Sequence, residues 1–174
     1  MSISVTFYRL SEQAIKRLNE SLKFDADSAK SYATFNGSLE AVAYLLSKQK
    51  DNSIVELLNE ILSPKQAIGI QDLSSLDPLE LFELYSADRL FPYLSPQKIS
   101  KLLGVFSEFS ATDISSAYNS NELNMHKVYP EIWHDDNSEN QAYNERHLLD
   151  DFERLKKIFS SAKDEQDYIL VFTG

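Results

Sequence analysis

The clearest pattern of apolar and polar positions lies near the C-terminal end of the chain. Apolar side chains recur there at steps of four, three, four and three residues, with charged residues at most positions between them. This spacing predicts a long amphipathic helix, because it puts the apolar side chains on one face of a helix with about 3.6 residues per turn. The residues of this face are Leu148, Phe152, Leu155, Phe159 and Ala162.

Two short segments at the ends of the chain predict strands. Residues 168–172 form a run of aromatic and branched side chains that is too short for a helix and is typical of a buried strand. Near the start, Ile3, Val5 and Phe7 alternate with more polar residues, which is the period of a half-buried strand. If both strands lie in one sheet, they should be close together. We therefore predict an α+β fold: a small, mostly antiparallel sheet that includes the N- and C-terminal strands, covered by several helices.

The region between these ends predicts a series of short helices. Ser11 is a predicted N-cap, and Ser95 is another because Pro96 follows it at the first helical position. Thr112 is the predicted cap of the last short helix. The predicted helical stretches are 12–22, 39–46, 52–62, 78–85, 96–106 and 112–118.

Three segments between the helices have no helical pattern. The stretch 24–37 is polar and ends in an Asn-Gly turn signal, and 119–124 is a predicted polar connection. Residues 89–94 are a candidate strand, in which Pro92 favours an edge position or no pairing at all.

Composition narrows the class of protein. A chain of 174 residues with 43% hydrophobic residues fits one globular domain spanning 1–174. The net charge of −10 repels phosphates and anionic membranes, so a general nucleic-acid binder or a membrane-surface protein is not expected. The same charge attracts a basic protein. We expect a monomer or a weak homo-oligomer.

The absence of cysteine limits both chemistry and location. The sequence has no disulfide, no thiolate metal ligand and no cysteine nucleophile. A cytoplasmic location is expected, since small secreted domains often use disulfides. The start of the chain has no basic segment of a signal peptide, and no apolar run reaches the roughly 20 residues that span a membrane.

Three histidines and two carboxylates form the first candidate site. His126, His134 and His147 lie in the same third of the chain as Asp135 and Asp136, and imidazole and carboxylate groups bind metals. Their spacing matches no metal motif such as H-E-x-x-H. The alternative is that they are surface histidines near a helix start. We expect no metal and no cofactor.

Aromatic residues and one arginine form the second candidate. Tyr129 and Trp133 are suited to a ligand platform or an interface hot spot, or else they fill the gap between the long helix and the sheet. Arg9 lies at the end of the first predicted strand, where it is a candidate for binding a ligand or partner; the alternative is a helix-capping or ion-pair role. No catalytic residue is predicted, because no nucleophile or phosphate-binding motif is present. The paired acids Asp150 and Asp151 are interpreted as solvated charges on the helix surface.

Several stretches together resemble the YfbM-like family, the uncharacterised bacterial domain family DUF1877. They occur in the family's order and cover most of the chain. The stretches are YRLSEQAIKRL, SLEAVAYLLS, YLSPQKISKLL, MHKVYPEIW, LLDDFERLKKIF and YILVF. Leu39 and Ala43 stand where relatives often have a tryptophan and a histidine, and 71–88 is longer or more divergent than usual. The resemblance implies a small cytosolic α+β protein and no particular activity, so it supplies no catalytic residue.

Two functions follow as hypotheses. The favoured one is a non-enzymatic protein-binding or interaction module, of which an immunity-type protein that neutralises a basic toxin is one form. The alternative is a small-molecule-binding protein or hydrolase with a pocket at 129–136. Whether the chain is an enzyme is left open by the sequence.

Overall fold

Five strands form one antiparallel sheet in the order β2-β1-β5-β4-β3. The computed structural model describes residues 3–48 and 50–174. The strands are β1 (Ser4–Leu10), β2 (Ser31–Asn36), β3 (Gln66–Ala67), β4 (Pro92–Leu94) and β5 (Tyr168–Thr173). Strands β1 and β5 pair directly, with Phe7 opposite Val171. The predicted sheet containing both end strands is confirmed.

Eight helices surround this sheet in the described part of the chain. They are α1 (Glu12–Ser21), α2 (Leu39–Ser47), α3 (Asn52–Asn59), α4 (Pro78–Ser86), α5 (Pro96–Ser107), α6 (Ala111–Ala117), α7 (Ser120–Met125) and α8 (Glu145–Asp164). The predicted caps of α1 and α5 are present, since Ser11 accepts a hydrogen bond from the Ala14 amide and Ser95 from the Lys98 amide. Each cap satisfies a backbone donor that the helix leaves unpaired.

The sheet is covered on both faces, and this explains the unbroken apolar run of β5. Ile169 and Val171 belong to the main core beneath α8, α5 and α2. Leu170 faces a smaller cluster that includes Leu18 of α1. All five residues of the predicted α8 stripe are fully buried. Burying one such large side chain stabilises a fold by about 1.5–3 kcal/mol, so α8 contributes much of the core.

Four local predictions were wrong. Strand β2 lies in the stretch interpreted as polar, because on this edge strand only Phe35 is fully buried. Helix α7 occupies the predicted connection at 119–124. Ser110, not Thr112, caps α6. Strand β4 is not an edge, and Pro92 is tolerated because it is the strand's first residue.

None of the helices in residues 3–48 and 50–174 combines the length and the apolar character needed to cross a bilayer.

Candidate functional site

Trp133 is built into the core rather than presented to solvent. Its side chain is 3% exposed, and the indole Nε1 donates to the Val128 carbonyl at 3.0 Å. The Asn124 amide holds the Trp133 backbone on both sides, accepting from its N–H at 2.8 Å and donating to its carbonyl at 2.9 Å. The ring therefore belongs to the main core, together with the apolar stripe of α8, which agrees with the packing alternative stated for this residue.

Two tyrosines enclose Trp133. The rings of Tyr118 and Tyr143 stand edge-on to the indole at centroid distances of 6.4 and 5.9 Å. The Tyr118 hydroxyl donates to the His134 carbonyl at 2.6 Å. Burial raises the pKa of Tyr118 to about 12, and the negative charge of Asp135 adds to the effect. This phenol remains neutral at physiological pH and acts as a hydrogen-bond donor.

Tyr129 lies at the opposite end of this segment and lines a pocket. Its hydroxyl accepts a hydrogen bond from the Ile3 amide at 2.7 Å, which ties the segment to the start of β1. The pocket has a volume of about 370 Å³. It is mostly apolar, with Glu40 and Ser63 as its other polar side chains besides Tyr129 and Thr173. None of the three histidines lines it.

The histidines lie in three different environments. His126 is exposed and its ring is 5.6 Å from that of Tyr44. His134 is exposed, and its backbone N–H donates to the Tyr143 carbonyl at 2.9 Å. His147 is half-buried on α8. Across residues 3–48 and 50–174, no group of three or more His, Cys, Asp or Glu side chains is arranged to hold a metal ion.

His147 belongs to a buried polar network centred on Asp151. Asp151 is 2% exposed, so its interpretation as a solvated charge was wrong. Its carboxylate accepts hydrogen bonds from the Ser38 hydroxyl and from Arg154 Nη1 at 2.6 Å, and His147 Nε2 lies 3.3 Å away. Burial raises the pKa of Asp151, but the hydrogen bonds from His147 and Ser38 and the charge of Arg154 outweigh it and leave the pKa below the ordinary value.

This network contains the residue types of a hydrolytic triad in an arrangement that does not activate a nucleophile. Ser38 donates its proton to the carboxylate and not to an imidazole. His147 Nδ1 already accepts the Tyr143 amide at 3.1 Å, so its free lone pair is used. Ser38 is fully buried, out of reach of a substrate. The network instead connects the start of α2 to α8.

Arg9 lies on β1 in a second charged cluster. Its side chain is 12% exposed and faces Glu165 and Asp167, each at 3.5 Å. Lys30 holds the same two carboxylates at 2.7 and 2.8 Å. Arg9 also lines a groove of about 440 Å³ between β2 and α8, away from the Tyr129 pocket. The structure therefore does not bring Arg9 together with the aromatic candidates.

Helix α4 carries an apolar surface that sequence reasoning missed. Leu79, Phe82 and Tyr85 are 64%, 65% and 67% exposed, and no residue of α4 is fully buried. The helix itself is well specified, because Asp77 and Glu80 form a capping box at its N-terminus. The spacing of the three apolar residues was visible in the sequence. An apolar stripe on a helix normally predicts a buried face, so the pattern alone wrongly predicts that this face of α4 is buried.

The comparisons with known proteins give a family and a fold. The family described as a domain of unknown function, DUF1877, matches residues 1–172. The crystal structure of a protein of unknown function, YfbM from Escherichia coli, is similar with a TM-score of 0.61. The two chains are 13% identical, and the match covers 100% of each. At this identity the likeness shows the fold alone. No curated protein matches the chain.

Proposed function

The chain belongs to the DUF1877 family of domains of unknown function, and we propose that it is a non-enzymatic protein-binding module for a basic partner. The partner presents an amphipathic segment, apolar on one side and rich in lysine or arginine on the other, to helix α4. Neutralisation of a basic toxin is one biological form of this activity. The observation that carries the proposal is the exposed apolar stripe of α4 and its acidic surroundings.

The charges around the stripe favour a basic partner over an acidic one. Residues 71–89 contain five carboxylates and a single basic residue, Arg89. Among the described residues, none of these five carboxylates forms an ion pair with a lysine or arginine. The five are Asp72, Asp77, Glu80, Glu83 and Asp88. Asp72, Asp77 and Glu80 also accept hydrogen bonds at helix starts, whereas the Glu83 and Asp88 carboxylates accept none within the described residues. All five contribute negative charge, which together with the net charge steers the approach of a cationic partner.

The energies show that both components of the surface are needed. Covering a side chain that is two-thirds exposed gains roughly 1–2 kcal/mol, so Leu79, Phe82 and Tyr85 together supply roughly 3–6 kcal/mol. Association itself costs about 4–15 kcal/mol, and micromolar binding requires a net gain of about 8 kcal/mol. The apolar stripe alone is therefore insufficient. The carboxylates must contribute, and binding should weaken with salt.

A defined peptide tests this chemistry directly. The probe is a fluorescent amphipathic helix of lysine and leucine, compared with a scrambled peptide of the same composition. We expect the amphipathic peptide to bind more tightly, and the triple change Leu79→Ser, Phe82→Ser and Tyr85→Ser to weaken it about tenfold or more in anisotropy titrations. The matched control is Met125→Ser with Ile132→Ser, which removes two exposed apolar side chains elsewhere on the surface.

Crosslinking identifies the natural partner. A photoreactive amino acid at Phe82 should trap a basic protein in cells of the source organism, while the same group at Met125 should not. Equal peptide binding by the triple variant and wild type would refute the proposal, as would an acidic partner trapped at Phe82. A crosslink to a second copy of the chain, with a dimer in light scattering, would also refute it.

The Tyr129 pocket favours a second candidate function, the binding of a small apolar molecule. Its volume of about 370 Å³ suits a small ligand, and without a histidine in its lining it offers ligand binding rather than hydrolysis. Nile red fluorescence tests it. Ser63→Trp should fill the mouth and abolish the signal, whereas Ser53→Trp, on the exposed start of α3, should not. An unchanged signal in the Ser63 variant would exclude this pocket.

A further inference from the structure

The groove between edge strand β2 and helix α8 is lined by cations in a protein whose surface is mainly acidic. Arg9, Arg154 and Lys157 all line it, and no carboxylate does among the described lining residues. Two serine hydroxyls, those of Ser31 and Ser161, lie in the same lining, which also includes Tyr32. The α8 residues of the groove, at 154, 157, 158 and 161, have the spacing of one helix face. The groove therefore combines several side-chain hydrogen-bond donors with two apolar residues, Ala33 and Ile158.

Arg154 is held in place by contacts that leave part of its guanidinium unused. It donates from Nη1 to Asp151 at 2.6 Å and from Nη2 to the Thr34 carbonyl at 2.8 Å. Its guanidinium lies over the Phe35 ring at 5.0 Å. A guanidinium has five N–H donors, and these contacts use two of them. The side chain is nevertheless half-exposed, so the remaining donors are already oriented for a ligand.

Arg9 adds a buried cation that donates no hydrogen bond within the described residues. Its two carboxylate neighbours stand 3.5 Å away, and its Nε is buried without a hydrogen-bond partner. Lys30 makes the short contacts to Glu165 and Asp167 instead. The Asp167 Oδ2 atom that faces Nε at 3.5 Å is also buried without a hydrogen-bond partner, so these two groups pair by charge, and the remaining N–H groups of the guanidinium are the ones left for a ligand.

We propose that this groove binds the phosphate group of a small molecule. Two guanidiniums, one ammonium and two hydroxyls match an anion with several acceptor oxygens better than a carboxylate, which has two. If the ion-pair partners outside the lining are included, four cations (Arg9, Lys30, Arg154 and Lys157) and three carboxylates (Asp151, Glu165 and Asp167) leave one excess positive charge. A volume of about 440 Å³ admits more than the phosphate itself. The ligand is therefore inorganic phosphate or a phosphorylated small molecule.

Calorimetric titrations in chloride buffer test the site. The probes are inorganic phosphate, ribose 5-phosphate and acetate. Lys157→Glu reverses a charge in the groove, and Lys163→Glu makes the same change at an exposed position of α8 outside it. We expect Lys157→Glu to weaken phosphate binding about tenfold or more and Lys163→Glu to change it less than about threefold. Arg9→Gln should weaken it as well, in a protein whose circular dichroism is unchanged.

Each outcome decides the proposal. Binding of ribose 5-phosphate alone supports a phosphorylated ligand, and equal binding of both phosphates supports the free ion. The proposal is overturned if neither phosphate binds, if acetate binds equally well, or if the two lysine variants lose the same affinity. Lys157→Glu should not change folding, because the Lys157 side chain is exposed and has no ion pair in the described structure. A loss of binding in this variant is therefore not a loss of folded protein. If the groove does not bind phosphate, the proposal that a basic partner binds α4 is unaffected, because the two surfaces have no residue in common.

Discussion

Gly37 and Gly69 provide a matched pair that separates backbone strain from steric overlap. Both have φ of +76°, a region that alanine occupies at a cost of about 1–2 kcal/mol. Around Gly69 a Cβ atom meets only Asn19 Oδ1 at 3.8 Å. At Gly37 it would stand 2.9 Å from Tyr129 Cε1 and 3.2 Å from Tyr143 Cε1. Only Gly37→Ala therefore adds an overlap to the strain.

The two tyrosine rings have little room to move away from a methyl group. Tyr129 is tied to the Ile3 amide, and Tyr143 packs against Trp133. Adding a methylene to a well-packed site costs about 1–3 kcal/mol. We expect Gly69→Ala to lower the free energy of unfolding by about 1 kcal/mol, after a small gain from the stiffer unfolded chain, and Gly37→Ala by about 2–4 kcal/mol.

Urea unfolding followed by tryptophan fluorescence measures both values, and the urea dependence should stay the same while the midpoint falls. The melting temperature of Gly37→Ala should lie about 2–12 °C below that of Gly69→Ala. In a double variant, Tyr129→Ala should remove part of the extra cost, because it removes the nearer ring. Equal losses in the two glycine variants would refute the reasoning.

Three further predictions concern polar side chains that are buried or partly buried. Asp151→Asn should lower the free energy of unfolding by about 2–4 kcal/mol at pH 7. Because the pKa of Asp151 is lower in the folded than in the unfolded protein, this stabilisation is lost as the pH falls, and urea titrations should show the difference between the variant and wild type disappearing below about pH 4. A difference that does not change with pH would contradict this. Asn124→Ala should lower the free energy of unfolding by about 1–3 kcal/mol in the same assay, because it removes both hydrogen bonds from the Asn124 side chain to the Trp133 backbone. It should also increase the quenching of Trp133 fluorescence by acrylamide, and unchanged quenching would count against this role of Asn124. Tyr118→Phe should differ from wild type in phenolate absorbance only near pH 12, whereas a difference centred at pH 10 would show that the phenol is solvated.

The parts of the fold that the sequence predicted are those with a repeated, two-sided pattern. In β1 the buried Val5 and Phe7 are two residues apart, and in α8 the apolar stripe recurs at steps of three and four, so tertiary packing reinforces a pattern that is visible locally. Strand β2 has no such pattern, because Phe35 is its single buried residue. Its place in the sheet is decided by its pairing with β1, which a local pattern does not show.

The polar features were harder to predict because they depend on residues far apart in the chain. Asp151 lies three residues after Leu148 and four before Leu155, so its position belongs to the buried side of α8. Its charge suggested the opposite face. Its burial is supported by His147 and Arg154 on the same helix and by Ser38, which is more than a hundred residues away and which no local motif reveals. The charged cluster of Arg9 likewise joins distant parts of the chain, because Arg9 and Lys30 share Glu165 and Asp167, which lie between α8 and β5, and no local motif reveals this.

The position of β5 has a consequence for how the protein is made. This strand, the last one along the described chain, lies between β1 and β4, so the pairs β2-β1 and β4-β3 meet only through it. During synthesis on the ribosome, we expect both halves of the sheet to expose apolar surface until residues 168–173 leave the exit tunnel. Joining segments so distant in sequence is slow, because a long loop must close first. We expect nascent chains stalled before residue 168 to depend on chaperones, and those released after it to become protease-resistant in one cooperative step.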